Sequence, residues 1–220
     1  MRGGALIRQL IAIGFGFGLL VAPAAAADLP RPAPEFPISL VGGKQLLLSQ
    51  YRGKVVAIEF LQTTCPHCQN CSAILNRMYK EYGPRGFQAL GVAFNDMAMM
   101  LVPDYINQLQ LTFPVGVGAR DPVISFLQHP VMEILYVPQL VFIDRNGVIR
   151  AQYQGRDDFF KNEEVNMRAQ IESLLKEPAA RHKPSKAKPA AKSTSLSRPK
   201  AFKAKPVAKS TSLSRPQALN

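Results

Sequence analysis

The stretch that decides the fold covers residues 54–68 and reads KVVAIEFLQTTCPHC. Its first eight residues are an almost continuous apolar run of strand length, which is typical of a central strand covered on both faces. Apolar residues at 74–82 then recur at helical spacing, until Gly83 and Pro84 end the pattern. The sequence therefore predicts a buried strand followed by a helix, with two cysteines at the junction.

The rest of the domain alternates between further strand and helix patterns. Apolar runs predict strands at 87–94, 113–117, 139–143 and 148–153, and helices are expected at 95–110, 122–126 and 163–175. Asn95 or Asp96 is expected to cap the first of these helices, and Pro103 to kink or break it. Gly-Gly at 42–43 and Asn-Gly at 146–147 each predict a hairpin. This order predicts an α/β sandwich with a mixed central sheet flanked by helices.

The N-terminus is typical of a secretory signal peptide over residues 1–27. Two arginines precede an apolar run at 10–21, and small residues at 24–27 offer a cleavage site. The alternative is an uncleaved anchor, because the apolar run is almost long enough to span a bilayer. Either form predicts a periplasmic or other extracytoplasmic protein. Cleavage leaves residues 28–177 as one domain, which is long enough to bury a single core.

Basic charge is concentrated at the two ends of the chain. The net charge is +12, yet residues 28–177 hold 14 basic and 15 acidic side chains. Residues 178–220 hold eleven basic and no acidic side chains, and a Lys-, Pro- and Ser-rich segment at 188–199 recurs at 205–216 with one change. Such a tail cannot bury enough apolar surface to offset its ordering entropy, so it is predicted to be disordered.

The three cysteines all lie within residues 65–71. A disulfide-stapled scaffold would spread its cysteines along the chain, so this cluster predicts local chemistry instead. A thiol at the start of a helix faces unpaired N–H groups and the positive end of the helix dipole. In a Cys-x-x-Cys motif this lowers a thiol pKa from about 8.5 to roughly 3.5–7.5. Cys65 is the predicted nucleophile of thiol–disulfide exchange, Cys68 the resolving thiol, and protonated His67 a nearby positive charge.

A metal site is the first alternative for these cysteines. Zinc needs four ligands, and the only further candidates are Cys71, His129 and His182, while an iron–sulfur run lacks its fourth cysteine. No metal and no cofactor are therefore expected. Cys71 is interpreted as a small buried apolar residue, with a reactive or intermolecularly paired thiol as the other interpretation.

A strand, a Cys-x-x-Cys motif at a helix start and a Val-Pro step at 137–138 before another strand together resemble the thioredoxin fold. The lead-in hairpin and the strand–helix insertion between residues 87 and 113 are similar to the TlpA-like branch, and the resemblance covers residues 34–175. It implies an exported thiol–disulfide oxidoreductase. Its partners would be protein thiols or disulfides and a membrane or soluble redox partner.

The resemblance also implies roles for single residues. Cys65 and Cys68 match the redox pair, and Pro138 matches the cis-proline that presents a backbone edge to the substrate. Pro138 could otherwise be a trans proline at a strand start. Glu59 matches the buried acid that exchanges protons with the inner thiol. Because a carboxylate is costly to bury in an apolar strand, its pKa is expected to be raised.

Two departures from the family pattern concern the direction of electron flow. Thr64 stands where the family usually has Trp, and the chain contains no Trp. Pro66-His67 is the dipeptide of the disulfide-introducing DsbA-like enzymes, whereas the scaffold is similar to the TlpA-like branch. A stabilised thiolate favours the reduced form, so the dipeptide favours an oxidant or isomerase.

Three other functions are alternatives to the exchange reaction. A thiol peroxidase of the peroxiredoxin type usually has Pro and Thr or Ser where this chain has Ile58 and Gln62. A Sco-type copper chaperone has three residues between its cysteines, and this chain has two. A binding protein could instead use the basic tail at 178–220 on anionic lipid or envelope polymer. Export makes nucleic acid an unexpected partner.

Overall fold

The computed structural model describes residues 28–178. The predicted signal peptide at 1–27 and the tail from residue 179 onwards lie outside this range. The strands are β1 (Arg31–Pro32), β2 (Pro37–Ser39), β3 (Gln45–Leu47), β4 (Val55–Leu61), β5 (Phe87–Ala93), β6 (Val115–Val117), β7 (Gln139–Ile143) and β8 (Val148–Gln154). The helices are α1 (Pro66–Tyr82), α2 (Ala98–Leu109), α3 (Arg120–Leu127) and α4 (Glu163–Lys176).

All eight described strands form one mixed sheet in the order β1-β8-β7-β4-β5-β6-β2-β3. β4 runs parallel to β5 and antiparallel to β7, and it pairs with both along most of its length. The predicted hairpins are β2–β3 and β7–β8. The mixed central sheet flanked by helices is therefore confirmed.

The sheet carries a buried core on each face, and β4 contributes to both. Its alternate residues Val55, Ala57 and Leu61 pack with α1, α2 and α4, while Val56, Ile58 and Phe60 pack with α3 and the N-terminal lead-in. Burying one such side chain contributes about 1.5–3 kcal/mol. Because side chains alternate along a strand, Glu59 shares the face that α1 covers.

The loops that build the site meet at one edge of the sheet. β4 and β5 are parallel, so the loops that follow them leave at the same edge. β7 is antiparallel to β4, and its first residue, Gln139, pairs with Phe60 near the end of β4. The start of β7 and the end of β8 therefore lie beside the loop that leads into α1.

Local structure differs from what the sequence predicts at α2 and at β1. The residue that caps α2 is Met97, in a left-handed conformation with φ of 58° and no side-chain cap, rather than Asn95 or Asp96. Asn95 instead bonds Thr63 across the sheet edge. Pro103 lies inside α2 and does not end it. The two-residue strand β1 was not predicted, because its proline and its length gave no periodic signal.

Among the described helices, none is both long enough and apolar enough to cross a bilayer.

Candidate active site

Cys65 and Cys68 stand at the start of α1, directly after the central strand. Cys65 is the residue that caps the helix, and its Sγ accepts a hydrogen bond from the Cys68 N–H at 3.4 Å. Pro66 is the first helical residue, where a missing N–H costs nothing. Cys65 is half-buried and Cys68 is fully buried. Cys65 is therefore the more accessible of the two cysteines.

A small network holds the loop between β4 and α1. The Thr63 N–H donates to Asn95 Oδ1 at 3.0 Å, and Asn95 Nδ2 donates to Thr63 Oγ1 at 3.1 Å. Gln69 Nε2 donates to the Thr63 carbonyl at 3.1 Å. These bonds tie the loop to the end of β5 and to the first turn of α1, so Cys65 is held in a defined place.

Glu59 lies inside the core beneath α1 and has no exposed surface. Ser72 Oγ donates to Glu59 Oε2 at 2.6 Å. Burial raises the pKa of the Glu59 carboxyl to about 8; the Ser72 hydrogen bond opposes this shift, the charge of Glu163 adds to it and the Cys71 hydrogen bond opposes it. The expected raised pKa is thus present, and it places a proton acceptor in the core that titrates near neutral pH.

The Cys68 thiol is buried and feels the charge of Glu59. Burial raises the pKa of the Cys68 thiol, and the nearby Glu59 charge raises it further. Cys68 therefore stays protonated at neutral pH until a base removes its proton. A neighbouring carboxyl that titrates near pH 8 is suited to that transfer.

Tyr105 and Ser72 extend this buried network, and neither is predicted from the sequence. The Tyr105 hydroxyl has two acceptors within reach of its single proton, Ser72 Oγ at 2.7 Å and the Cys68 carbonyl oxygen at 3.2 Å. Ser72 follows Cys68 by four residues and so lies on the same helix face. This spacing is the one feature of the sequence that could have indicated a place for Ser72 near the site. Tyr105 reaches the site from α2, and only tertiary packing brings it there.

Pro138 has the predicted cis peptide bond, with Val137, and lies buried at the start of β7. Val137 and Cys65 pack against the same core. Gly155, just after β8, lies against the Val137–Pro138 peptide: a Cβ at residue 155 would stand 2.3 Å from the Val137 carbonyl oxygen. Gly155 also donates its N–H to the Tyr136 carbonyl at 3.3 Å. Only glycine allows this close approach.

We expect Gly155→Ala to displace the Val137–Pro138 peptide, because the new methyl group would overlap its carbonyl group. The free energy of unfolding should fall by about 1–3 kcal/mol, as measured by urea denaturation, and exchange with a protein disulfide should slow. Gly83→Ala is the matched control, since a Cβ at residue 83 would lie 3.7 Å from the nearest atom, in the Tyr79 ring, which is an ordinary van der Waals distance. Equal behaviour of the two variants would contradict this role of Gly155.

His67 lies in the first turn of α1 and packs edge-on against Phe160, with ring centroids 4.9 Å apart. Its charge also acts on the Glu163 carboxyl, at the start of α4. The predicted contribution of His67 to the Cys65 thiolate stays a prediction.

Comparison with known proteins places this geometry in a family. The sequence pattern of the AhpC/TSA family matches residues 29–152, which is more than half of the chain. The chain belongs to the AhpC/TSA family.

The AhpC/TSA chain is similar to thiol-disulfide oxidoreductase ResA from Geobacillus kaustophilus (strain HTA426), with 27% identity over 151 residues, 68% of this chain and 83% of that protein. ResA from Oceanobacillus iheyensis is 28% identical over 127 residues, 56% of this chain and 63% of that protein. A solved thiol:disulfide interchange protein of the thioredoxin family from Chlorobium tepidum TLS superposes with a TM-score of 0.57 at 23% identity, covering 68% of this chain and 99% of that one.

These matches confirm the predicted thioredoxin-like fold and the TlpA-like resemblance. Its similarity to the ResA proteins places the AhpC/TSA chain among the thiol–disulfide oxidoreductases, as predicted from the sequence. Within residues 28–178, no group of three His, Cys, Asp or Glu side chains is arranged to hold a metal ion.

Proposed function

We propose that this AhpC/TSA-family chain is an exported enzyme that exchanges disulfides with protein substrates through Cys65 and Cys68. One arrangement carries the proposal: partly exposed Cys65 caps α1, the second thiol, of Cys68, is buried, and a buried carboxyl beneath α1, that of Glu59, has its pKa raised to about 8. Nucleophile, resolving thiol and proton acceptor are the three groups that the reaction needs.

The reducing half of the exchange proceeds in two displacements. The Cys65 thiolate attacks one sulfur of a substrate disulfide, forms a mixed disulfide and releases the other substrate sulfur as a thiolate. Glu59 then takes the proton of Cys68, and the Cys68 sulfur attacks Cys65. The bond from Cys65 to the substrate breaks, the substrate leaves as a thiol after protonation, and two electrons have passed from the enzyme to the substrate. Oxidation of a substrate dithiol reverses these steps.

Activity assays distinguish this function from the peroxidase alternative, to which the family match gives some weight. Ile58, at the position where peroxiredoxins usually have proline, is a fully buried residue of β4, and Gln62, at the position of their Thr or Ser, carries no hydroxyl. We expect turnover on a protein disulfide with a dithiol reductant and no comparable consumption of hydrogen peroxide. Rapid peroxide consumption with formation of a Cys65 sulfenic acid would overturn the proposal.

We propose the oxidising or isomerising direction for this enzyme. The Cys65 sulfur accepts the Cys68 N–H at the positive end of α1, which stabilises the thiolate and so the reduced form. The Pro66-His67 dipeptide supports the same direction. Export by the leader at 1–27 would supply a compartment in which disulfides persist, and the basic tail at 178–220 would offer contact with an anionic envelope surface.

A protein substrate would find an apolar surface next to Pro138. The segment between α3 and β7 exposes Val131, Met132 and Ile134, which are 87%, 96% and 70% exposed. The segment runs directly into the Val137–Pro138 peptide at the site. We propose that it binds unfolded polypeptide on either side of the substrate disulfide, because large exposed apolar side chains mark interaction surfaces.

The double variant Met132→Ser/Ile134→Ser should raise KM for an unfolded disulfide-containing protein about tenfold, because about 1–2 kcal/mol of apolar contact is lost. Its rate with oxidised glutathione should stay that of the parent protein. Val41→Ser is the matched control, since Val41 is an exposed apolar residue outside this segment. A loss of rate with both substrates would contradict a role in substrate binding.

A further inference from the structure

Glu163 is a buried carboxyl that the exchange mechanism does not use. It is the first residue of α4, yet it is only 7% exposed. Asn70 Nδ2 donates to its Oε2 at 2.9 Å, while no nitrogen or oxygen of the described residues bonds its Oε1. Glu59 is in the same situation, with Oε2 bonded by Ser72 and Oε1 without a nitrogen or oxygen partner. Each of these two buried carboxyls therefore has one oxygen that accepts a hydrogen bond from a nitrogen or oxygen and one that does not.

Cys71 lies between these two carboxyls. It is fully buried in α1 between Asn70, which bonds Glu163, and Ser72, which bonds Glu59, so its thiol is placed to act on either carboxyl. Because Glu59 is on β4 and Glu163 on α4, the three side chains form a continuous row across the core from the central strand to the outer helix. The row begins at the proton acceptor of the redox pair and ends beside His67, whose charge acts on Glu163.

We propose that Glu163 and Cys71 are positioning residues for the resolving step, and that together they set how firmly Glu59 holds the proton it takes from Cys68. This inference rests on the proposed function. Glu163 acts through its negative charge, which makes a second negative charge at Glu59 less favourable. Cys71 acts in the opposite sense, because its S–H stabilises the ionised carboxyls by hydrogen bonding.

The surroundings of the two carboxyls support these opposite effects of Glu163 and Cys71 on Glu59. Burial raises the pKa of both, and the charge of Glu163 is among the causes that raise the pKa of Glu59. The hydrogen bond from Cys71 is among the causes that lower the pKa of each carboxyl. Because the charge of Glu163 raises the pKa of Glu59, removing that charge should lower the pKa of Glu59.

The titratable groups that face the pair come from every element around it. Those that act on Glu59 or Glu163, or feel their charge, are Cys68, Cys71, His67, Arg77 and Tyr105. Arg77 and His67 favour the ionised form of Glu163, and the start of α4 does so as well through the helix dipole. Glu163 is therefore the carboxyl that keeps its charge more readily, while Glu59 exchanges the proton.

The test measures the rate of the resolving step separately from the rate of the first attack. Reduced protein is mixed with oxidised glutathione at pH 5–10, quenched with acid and analysed by mass spectrometry. The first step joins one glutathione to Cys65 and releases the other. The second step forms the Cys65–Cys68 disulfide and releases the glutathione that was bound. The rate of the second step should rise with pH, with a midpoint that reports Glu59.

We expect Glu163→Gln to move this midpoint down by about half to one pH unit, because a like charge is lost. Cys71→Ala should move it up, because a hydrogen-bond donor is lost, and Cys71→Ser should restore the parent midpoint. Glu164→Gln is the matched control: Glu164 is the next residue along the chain and forms an ion pair with Arg77 at 2.6 Å on the surface. Its midpoint should equal that of the parent protein.

Unmoved midpoints, or shifts of the same sign for Glu163→Gln and Cys71→Ala, would overturn the inference. Loss of packing alone would not give opposite shifts, and Cys71→Ser provides a nearly isosteric substitution if Cys71→Ala folds poorly. Failure of the proposed function looks different, because the parent protein would then form no Cys65–glutathione adduct or no protein disulfide at any pH.

Discussion

Replacing Cys65 by serine is expected to abolish disulfide exchange, because a serine hydroxyl is not ionised at neutral pH and forms no mixed disulfide. Cys68→Ser should instead accumulate the mixed disulfide with the substrate, since Cys65 still attacks and nothing resolves the adduct. The half-exposed position of Cys65 and the buried position of Cys68 support this order of attack. Turnover of a protein disulfide and mass spectrometry of the trapped adduct measure the two outcomes.

Cys71→Ser is the internal control, because Cys71 is a thiol on the same helix that the exchange itself does not use. Its turnover at neutral pH should remain close to that of the parent protein. An adduct trapped on Cys68 or Cys71 while Cys65 stays free would reverse the assignment of nucleophile and contradict the mechanism.

The second large effect is expected from Glu59→Gln. Glu59 accepts the proton of Cys68 in the proposed mechanism, so the amide should slow the resolving step about 100-fold, within the range of general base catalysis. Attack by Cys65 on oxidised glutathione should keep its rate. Rapid-quench measurement separates the two steps, and equal slowing of both would show that the substitution disturbs the site as a whole.

The same variant should gain stability at neutral and alkaline pH. The folded-state pKa of Glu59 is raised to about 8 from an ordinary 4.5, so the folded protein binds the proton more tightly than the unfolded chain. Stability is then greatest below pH 4.5 and is lost as the pH rises towards 8. Between pH 5 and pH 8, ionisation of Glu59 should lower the free energy of unfolding by about 3 kcal/mol. The Glu59→Gln substitution removes this pH dependence of stability.

Urea unfolding of both proteins at pH 5 and pH 8 measures this pH dependence. The parent protein should lose stability over that interval relative to Glu59→Gln. Parallel pH dependence in the two proteins would show that Glu59 is already ionised in the folded state at pH 5.

The central part of the site could be predicted from sequence because its signals are local. An apolar run of strand length followed by cysteines at a helix start predicts β4 and α1 without any tertiary information. Glu59 stood out as a lone acid within that run, and Val-Pro at 137–138 preceded a clear strand. Strand pairing then brings Pro138 to the edge of the sheet at which Cys65 lies.

The residues that the sequence did not reveal reach the site through tertiary packing. Tyr105 and Glu163 come from helices whose docking no local pattern specifies, and Glu163 reads as an ordinary first-turn acid. Cys71 was interpreted as an apolar filler; it is fully buried, but it lies between two carboxyls. Asn95 was expected to cap α2, and its side chain serves the Thr63 loop instead.

The most direct test of the account is an equilibrium redox titration of the purified protein in glutathione buffers, with thiols trapped by alkylation and mapped by mass spectrometry. We predict one two-electron transition that links Cys65 to Cys68 and leaves Cys71 as a thiol. Its potential should lie above that of glutathione, on the oxidising side. A potential near that of thioredoxin, about −270 mV, would contradict the direction proposed for this enzyme. The absence of a Cys65–Cys68 disulfide at every ratio, or its replacement by a Cys68–Cys71 linkage, would contradict the central claim.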